Sequence, residues 1–218
     1  MIWNDYLAEM RADIQDTGTT PRWTDKMLYV YTKDAIRDYS TWFPLRTDRK
    51  VMTLSTDGLS YPLPADYIED ICVECPQDRY LEKRPNRPGT LYRKTGFSFS
   101  YYTSGGNLYI SSPAAAGDNV LLTYYSCHPI PASEVDSTFA FTVPDSDIEL
   151  IRIYTKAMLY QQMRSKQAAL DRFKLGTGKR DDNPLMPEVG DLMEYYYHMI
   201  AQRSPGGVIV LYRTGRPR

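Results

Sequence analysis

Hydrophobic side chains recur at helical spacing over residues 1–45. A first apolar face ends before Thr17-Gly18, and a second begins after Thr24, which is predicted to cap the second helix. Pro44 is predicted to end that helix, because proline disfavours helical geometry in the residue before it. The pattern therefore predicts a pair of N-terminal helices. The first apolar face consists of Trp3, Leu7, Met10 and Ile14.

The hydrophobic period changes from helical to alternating between residues 49 and 128. Short alternating runs and the turn signals Asp57-Gly58 and Gly105-Gly106 are typical of antiparallel strands. The segment 84–89, which contains two prolines and a glycine, is predicted to be a loop. The region is expected to form a small antiparallel barrel or sandwich. The predicted strands cover residues 50–54, 71–75, 97–102, 108–110 and 120–125.

Helical spacing returns after Pro144. Ser146 and Glu149 fit a capping box, and the apolar face that follows continues to Phe173, before Gly176 as a C-terminal cap. A helix of about thirty residues would be roughly 45 Å long, which makes it the predicted spine of the fold. A shorter helix is predicted over residues 188–202.

The order of these elements predicts an α+β fold. Its helical bundle is formed by the N- and C-terminal segments, with an inserted antiparallel β barrel or sandwich and an extended C-terminal tail. The expected boundaries are 1–48 and 142–203 for the helical body, 49–141 for the β-rich insert and 204–218 for the tail.

The tail combines an apolar run with arginines. Its apolar side chains alternate in such a way that both faces of a strand would be hydrophobic, which is costly to leave exposed. One interpretation is a final strand of this protein's own sheet; the other is strand addition to a neighbouring protein, with charged contacts beyond it. The residues concerned are Val208, Ile209, Val210, Leu211, Tyr212, Arg213, Arg216 and Arg218.

Composition fits a soluble globular protein, with 42% hydrophobic residues among 218 and a net charge of −1. No apolar run approaches the roughly 20 residues of a membrane span, and the N-terminus has no secretory signal pattern. Two segments are locally basic, and each suggests either a solvated surface or contact with a polyanion or an acidic partner. The first includes Arg84, Arg87 and Arg93; the second includes Arg164, Lys166, Arg172 and Lys174.

The sequence offers little for catalysis or for cofactors. Cys72 and Cys75 with Cys127 and His128 contain the atoms of a zinc site, but on strands this spacing sends neighbouring side chains to opposite faces. Core or rim cysteines are the favoured interpretation. With His198 as the other histidine and no nucleotide-binding or nucleophile motif, we predict no catalytic residue, no metal and no cofactor.

Several segments together resemble the head-to-tail connector adaptor proteins of tailed bacteriophages. The resemblance covers most of the chain. It is carried by Trp3-Asn4-Asp5-Tyr6-Leu7, by Arg22-Trp23-Thr24-Asp25-Lys26-Met27-Leu28, by Tyr61-Pro62-Leu63-Pro64-Ala65-Asp66-Tyr67, and by Phe141-Thr142-Val143-Pro144-Asp145 before a helix with Tyr154-Thr155-Lys156-Ala157.

The resemblance implies a structural virion protein without catalytic activity. It implies a ring, commonly of twelve subunits, located in the virion neck beneath the portal, with a channel through which DNA passes without sequence-specific contacts. The implied partners are other copies of the chain, the portal protein and a tail or nozzle protein, with no membrane. The tail is expected to dock on the portal. Within such a ring, the first basic segment (Arg84, Arg87 and Arg93) is expected to contact a neighbouring subunit or tail protein, and the second (Arg164, Lys166, Arg172 and Lys174) to line the channel or to be solvated. Alternatives are a stopper or tail-completion protein, or an unrelated enzyme or ligand-binding β module.

Overall fold

The computed structural model describes residues 1–54, 60–84, 100–110, 119–174 and 185–204, with the backbone alone for 164–174 and 185–187. The chain divides into two compact units. We call Met1–Phe43 with His128–Arg218 the helical unit, and Pro44–Cys127 the β unit. Residues 128–141, which the sequence pattern placed with the β insert, belong to the helical unit.

The helical unit contains α1 (Trp3–Asp13), α2 (Asp25–Trp42), α3 (Ile148–Lys174) and α4 (Leu185–Arg203). The predicted N-cap is confirmed, because the Thr24 side chain accepts a hydrogen bond from the Met27 N–H. The predicted capping box is wrong. A single 3₁₀ turn, Asp145–Asp147, precedes α3, and the Ser146 hydroxyl donates to the Asp147 carboxylate at 3.0 Å instead of capping the helix.

One hydrophobic cluster holds the four helices together. Trp3, Tyr6 and Met10 are the fully buried residues of α1. The buried face therefore includes Tyr6, which the sequence pattern did not assign to it, whereas Leu7 and Ile14 are partly buried at its border. Helix α3 is enclosed over its first half, since no residue from Leu150 to Tyr160 is exposed. The chain's own elements therefore cover much of this part of the helix, and its half-buried residues stay partly accessible.

The β unit contains two sheets. The first has three antiparallel strands in the order β1 (Leu45–Met52), β7 (Val120–Ser126), β3 (Tyr67–Glu74). The second has the order β2 (Tyr61–Pro62), β6 (Asn107–Ile110), β5 (Ser100–Ser104), β4 (Glu82–Lys83), and its β4–β5 pair is parallel. The expectation of antiparallel strands throughout is therefore wrong for that pair. In the described part of the chain neither sheet closes into a barrel.

The two sheets share one hydrophobic cluster. It includes Val73, Leu122 and Tyr124 from the three-stranded sheet and Tyr101 and Leu108 from the four-stranded sheet. Gly105 and Gly106 form the predicted turn between β5 and β6, with φ of +55° and +78°, a region that L side chains rarely adopt. The predicted Asp57-Gly58 turn lies outside the described residues.

Both edge strands of the three-stranded sheet carry bulges. The register of β1 shifts between Thr47 and Lys50, and the register of β3 shifts twice, at Ile68 and at Ile71. An extra residue in a strand turns its side chain out of the regular alternation. Ile71 is consequently exposed while Val73 is buried, so the alternation predicted for this strand from sequence is wrong at Ile71.

Candidate assembly surfaces

A buried hydroxyl network joins three helices of the helical unit. Tyr6 Oη lies 3.1 Å from Thr32 Oγ1 on α2 and 3.2 Å from Thr155 Oγ1 on α3. The Thr155 hydroxyl donates its proton to the Ile151 carbonyl at 2.8 Å. Tyr6 must therefore donate to Thr155 and accept from Thr32. Burial raises the pKa of Tyr6 to about 12, so the phenol stays protonated as this network requires.

The N-terminus is fixed by aromatic packing and by hydrogen bonds. Trp3 stacks on Tyr6, and its indole N–H donates to the Glu134 carbonyl at 2.9 Å. The Met1 ammonium group lies 3.2 Å from the Asp145 carboxylate. These contacts attach α1 to the segment between the β unit and α3, which explains why Trp3 is completely buried although it lies near the chain end.

Helices α3 and α4 form an antiparallel pair. Arg203, at the end of α4, lies 2.8 Å from the Asp147 carboxylate at the start of α3, and the Tyr39 hydroxyl donates to the same carboxylate at 2.6 Å. Tyr196 packs edge-on against Tyr154, and its hydroxyl donates to Asp38 at 2.7 Å. The position at which the tail leaves α4 is thus anchored by an ion pair and two helices.

A cleft of about 480 Å³ lies between α1, α3 and α4. Ion pairs cross its floor, from Arg152 to Glu9 at 3.0 Å and from Lys156 to Asp13 at 3.4 Å. Glu149 is a third carboxylate in the wall. The cleft is therefore acidic on balance and partly apolar. Among the described residues, the lining consists of Glu9, Ala12, Asp13, Glu149, Arg152, Ile153, Lys156, Leu192 and Tyr195.

Tyr160 and Glu188 lie beyond the lining of the cleft, one turn after Lys156 on α3 and in the first turn of α4. Burial raises the pKa of Tyr160, the nearby Lys156 ammonium opposes the shift, and the carboxylates of Glu188 and Asp13 reinforce it. The Lys156 ammonium lies 5.8 Å from the Tyr160 ring centre, within cation–π range. Glu188 is exposed, at the opposite end of α4 from Arg203.

A buried carboxylate organises the β unit. Burial opposes ionisation of Asp70, but the hydroxyls of Tyr101 and Tyr67 donate to it at 2.6 and 2.7 Å, and Lys83 lies 3.0 Å away. The donors outweigh burial and hold the pKa of Asp70 below its ordinary value. Because Asp70 is on β3 while Tyr101 and Lys83 are on β5 and β4, this group links the two sheets.

His128 lies where the chain returns from the β unit to the helical unit. Its Nε2 donates to the Phe43 carbonyl at 3.0 Å, since a carbonyl can only accept, and its Nδ1 accepts from the Thr142 hydroxyl at 2.7 Å. Its backbone N–H donates to Ser40 Oγ at 3.0 Å. Burial lowers the pKa of His128, with partial opposition from the Phe43 carbonyl. The neutral imidazole therefore connects the outgoing and the returning chain.

The three cysteines are thiols. Cys75 is buried, Cys72 and Cys127 are half-buried, and all three lie in the β unit, whereas His128 lies in the helical unit. Among the residues that the structure describes, no group of three metal-ligating side chains was found.

His198, on α4, contacts Gln202 at 2.8 Å. Within the same described ranges, no helix is long and apolar enough to cross a membrane.

The structure describes few of the predicted contact residues in full. Arg84 donates its backbone N–H to the Tyr101 carbonyl at 2.9 Å, directly after β4. Arg87 and Arg93 lie outside the described residues, as does the whole tail segment Val208, Ile209, Val210, Leu211, Tyr212, Arg213, Arg216 and Arg218. Arg164, Lys166, Arg172 and Lys174 lie on the second half of α3, with their side chains outside the described part.

Exposed apolar side chains form a second set of candidate contacts that the periodicity did not indicate. Exposure reaches 76% at Val135, 63% at Tyr80 and 57% at Val51. Isolated apolar groups at the surface are common in proteins and carry no function by themselves. The other exposed large apolar residues are Ile2, Val30, Leu54, Ile68, Ile71, Tyr125 and Tyr195.

Buried hydrogen bonds that join helices, and a carboxylate that joins two sheets, are features of a mixed α and β structural scaffold. No curated protein matches the chain. Residues 1–187 match the family described as SU10 adaptor protein, and the chain belongs to that family. It is accordingly a phage adaptor, a structural protein of the virion from a family that is typically non-enzymatic.

Proposed function

We propose that this adaptor forms a ring beneath the portal, joins the capsid to the tail and leaves a channel for DNA. Membership of the SU10 adaptor family over residues 1–187 is the observation that carries the proposal. The contacts between Arg203 and Asp147 support it in detail, because a docking tail needs a fixed point of departure from a rigid body.

The ring contacts are proposed to involve the second half of α3. The first half offers less surface, since each residue from Leu150 to Tyr160 is either buried or half-buried. Residues 161–174 continue the helix for about 20 Å at 1.5 Å per residue, which is long enough to reach a neighbouring subunit. An interface of standard size buries roughly 1,600 Å² in total, and the binding energy is expected to concentrate in a few central side chains.

Residues 204–218 are proposed to dock on the portal. The segment 208–212 has the length of a short strand and would add to a sheet edge of the partner, and Arg213, Arg216 and Arg218 would meet acidic groups there. Mixing the chain with the portal protein of the same phage tests both proposals by native mass spectrometry. We expect a closed ring, commonly of twelve copies, bound to the portal.

Deletion of 204–218 is expected to abolish attachment to the portal while the helical unit stays folded. A matched variant with Arg213, Arg216 and Arg218 changed to lysine keeps the charge and should retain attachment, whereas the corresponding glutamate variant should lose it. A truncated chain that still binds the portal refutes the docking role. A truncated chain that unfolds assigns the segment to the protein's own core. Binding to a tail-side protein in the absence of a portal would favour a tail-completion function.

DNA is proposed to pass through the ring without being read. A channel that lets DNA slide needs weak contacts, and contacts to phosphates carry no sequence information. The basic stretch Arg164, Lys166, Arg172 and Lys174 is the candidate lumen surface. The assembled ring should bind DNA of unrelated sequences with equal affinity, and binding should disappear as salt is raised. Sequence-specific binding that persists at high salt would contradict a passive channel.

A further inference from the structure

The cleft between α1, α3 and α4 has no role in the ring described above, yet it lies directly beside the departure point of the tail. Arg203 is fixed to Asp147, and Glu149, which lines the cleft, follows two residues later, about 3 Å along the helix axis. The segment that leaves α4 after Ser204 therefore starts at one end of the cleft.

The dimensions of the cleft fit the first part of the apolar run of the tail. From Glu149 to Lys156 the cleft follows α3 for seven residues, or about 10 Å. An extended segment rises about 3.3 Å per residue, so the three residues 208–210 span about 10 Å, and residues 211–212 would continue toward the start of α4. Pro205, Gly206 and Gly207 precede them, and these are the residue types that most readily reverse a chain.

The chemistry of the cleft also matches the tail. Leu192, Tyr195 and Ile153 provide apolar surface along its length, and Tyr195 is 45% exposed. Asp13, paired with Lys156 at the far end of the lining, and Glu188, exposed in the first turn of α4, provide carboxylates toward the start of α4. The tail presents the same order, an apolar run followed by Arg213, Arg216 and Arg218 with no acidic residue. Apolar groups would thus meet apolar groups, and arginines would meet carboxylates.

We propose that, before assembly, residues 205–218 fold back and occupy the cleft of their own subunit. The short connection gives the tail a high effective concentration at this cleft, so modest contacts are enough to fill it. The portal then competes with the cleft for the same segment, which keeps the tail from binding other copies prematurely. This inference rests on the proposed function in one respect, that the same segment later docks on the portal.

Disulfide trapping in the full-length, unassembled chain tests the fold-back. Ala12→Cys, in the cleft wall, is combined with Val210→Cys, and the rate of disulfide formation in a glutathione redox buffer is read by mass spectrometry. The control combines Val210→Cys with Val135→Cys, which is outside the cleft and 76% exposed. If encounters were random, the more exposed control would react at least as fast. We expect the cleft pair to react about tenfold faster.

Charge reversal provides an independent measurement on the same pair. Glu188→Lys is expected to slow disulfide formation several-fold, because it removes a carboxylate proposed to meet the tail arginines. Glu194→Lys makes the same charge change on another face of α4 and should leave the rate unchanged. Equal rates for the cleft pair and the Val135 pair, or no effect of Glu188→Lys, would overturn the proposal.

Mixing ¹⁵N-labelled and unlabelled subunits distinguishes the two possible sources of the tail. Cross-links within subunits of one label support the fold-back, whereas mixed-label cross-links would show that a second copy supplies the tail and would overturn it. Attachment to the portal is measured separately on the truncated chain. If the two cysteine pairs react at equal rates while attachment to the portal still requires the tail, the fold-back alone is rejected. If the cleft pair reacts faster while attachment does not require the tail, portal docking alone is rejected.

Discussion

Replacing Tyr6 by phenylalanine removes a single oxygen atom from the centre of the helical unit. Tyr6 is fully buried, and its hydroxyl is the acceptor for the Thr32 O–H and the donor to Thr155. Thr155 keeps its own bond to the Ile151 carbonyl, so the cost falls on the Thr32 hydroxyl, which loses its acceptor. A buried donor left without a partner costs about 1–3 kcal/mol, and we expect a loss of about 2 kcal/mol in the free energy of unfolding.

Urea unfolding followed by tryptophan fluorescence is the assay suited to this variant. The three tryptophans, Trp3, Trp23 and Trp42, all lie in the helical unit, so the signal reports on that unit. With a denaturant slope of about 2 kcal/mol/M, the midpoint should fall by about 1 M while the slope stays unchanged. Tyr195→Phe, at a hydroxyl on an exposed ring, is the matched control and should stay within about 0.5 kcal/mol.

A second substitution tests the cause of the loss. Thr32→Val in the Tyr6→Phe chain removes the orphaned hydroxyl at nearly constant volume, and replacing both partners of a buried hydrogen bond is close to neutral. The double variant should therefore be more stable than Tyr6→Phe alone. An unchanged midpoint for Tyr6→Phe, or a double variant less stable than the single one, would refute the network as a source of stability.

Three further perturbations address other parts of the molecule. His128→Gln should flatten the dependence of stability on pH. The pKa of His128 is lowered in the folded state, so the wild-type helical unit keeps its full stability above about pH 6.5 and becomes progressively less stable as pH falls from there through the folded-state pKa. The urea midpoints at pH 7.5 and 5.5 should therefore differ less in the variant than in the wild type. Asp70→Asn should destabilise the β unit by about 2 kcal/mol, visible as faster amide exchange in β3, with no change in tryptophan fluorescence; slow exchange retained in β3 would argue against a linking role. Alanine at Arg84, Arg87 and Arg93 should reduce ring assembly and leave helix content intact by circular dichroism, and unchanged assembly would reject a contact at this loop.

The sequence pattern predicted the elements well where a single period dominates. The Thr24 cap, the Gly105-Gly106 turn and the strand 120–126 follow from local chemistry, and the structure contains all three. Local pattern failed where tertiary contacts decide. Ser146 contacts the Asp147 carboxylate, which is held by Tyr39 and Arg203 from distant helices, and no window around residue 146 contains that information.

The surfaces were harder to predict than the elements. The cleft unites acids from α1 and α3 that are up to 140 residues apart in sequence, counted from Glu9 to Glu149, so charge runs along the chain could not reveal it. The basic runs that sequence did reveal lie largely outside the described side chains. The one sequence signal for this acidic cleft was the i, i+4 spacing of Glu9 and Asp13 on an exposed helix face. By itself, that spacing is typical of any solvated helix.

The bulged edges of the three-stranded sheet affect how unassembled subunits can interact with one another. A flat strand edge invites pairing with any other exposed strand, and a concentrated pool of identical chains is the setting in which such pairing spreads into aggregates. The shifts at Thr47–Lys50 in β1 and at Ile68 and Ile71 in β3 interrupt the backbone ladder on both sides of the sheet. The sheet is thereby a poor template for pairing with its own copies through these edges.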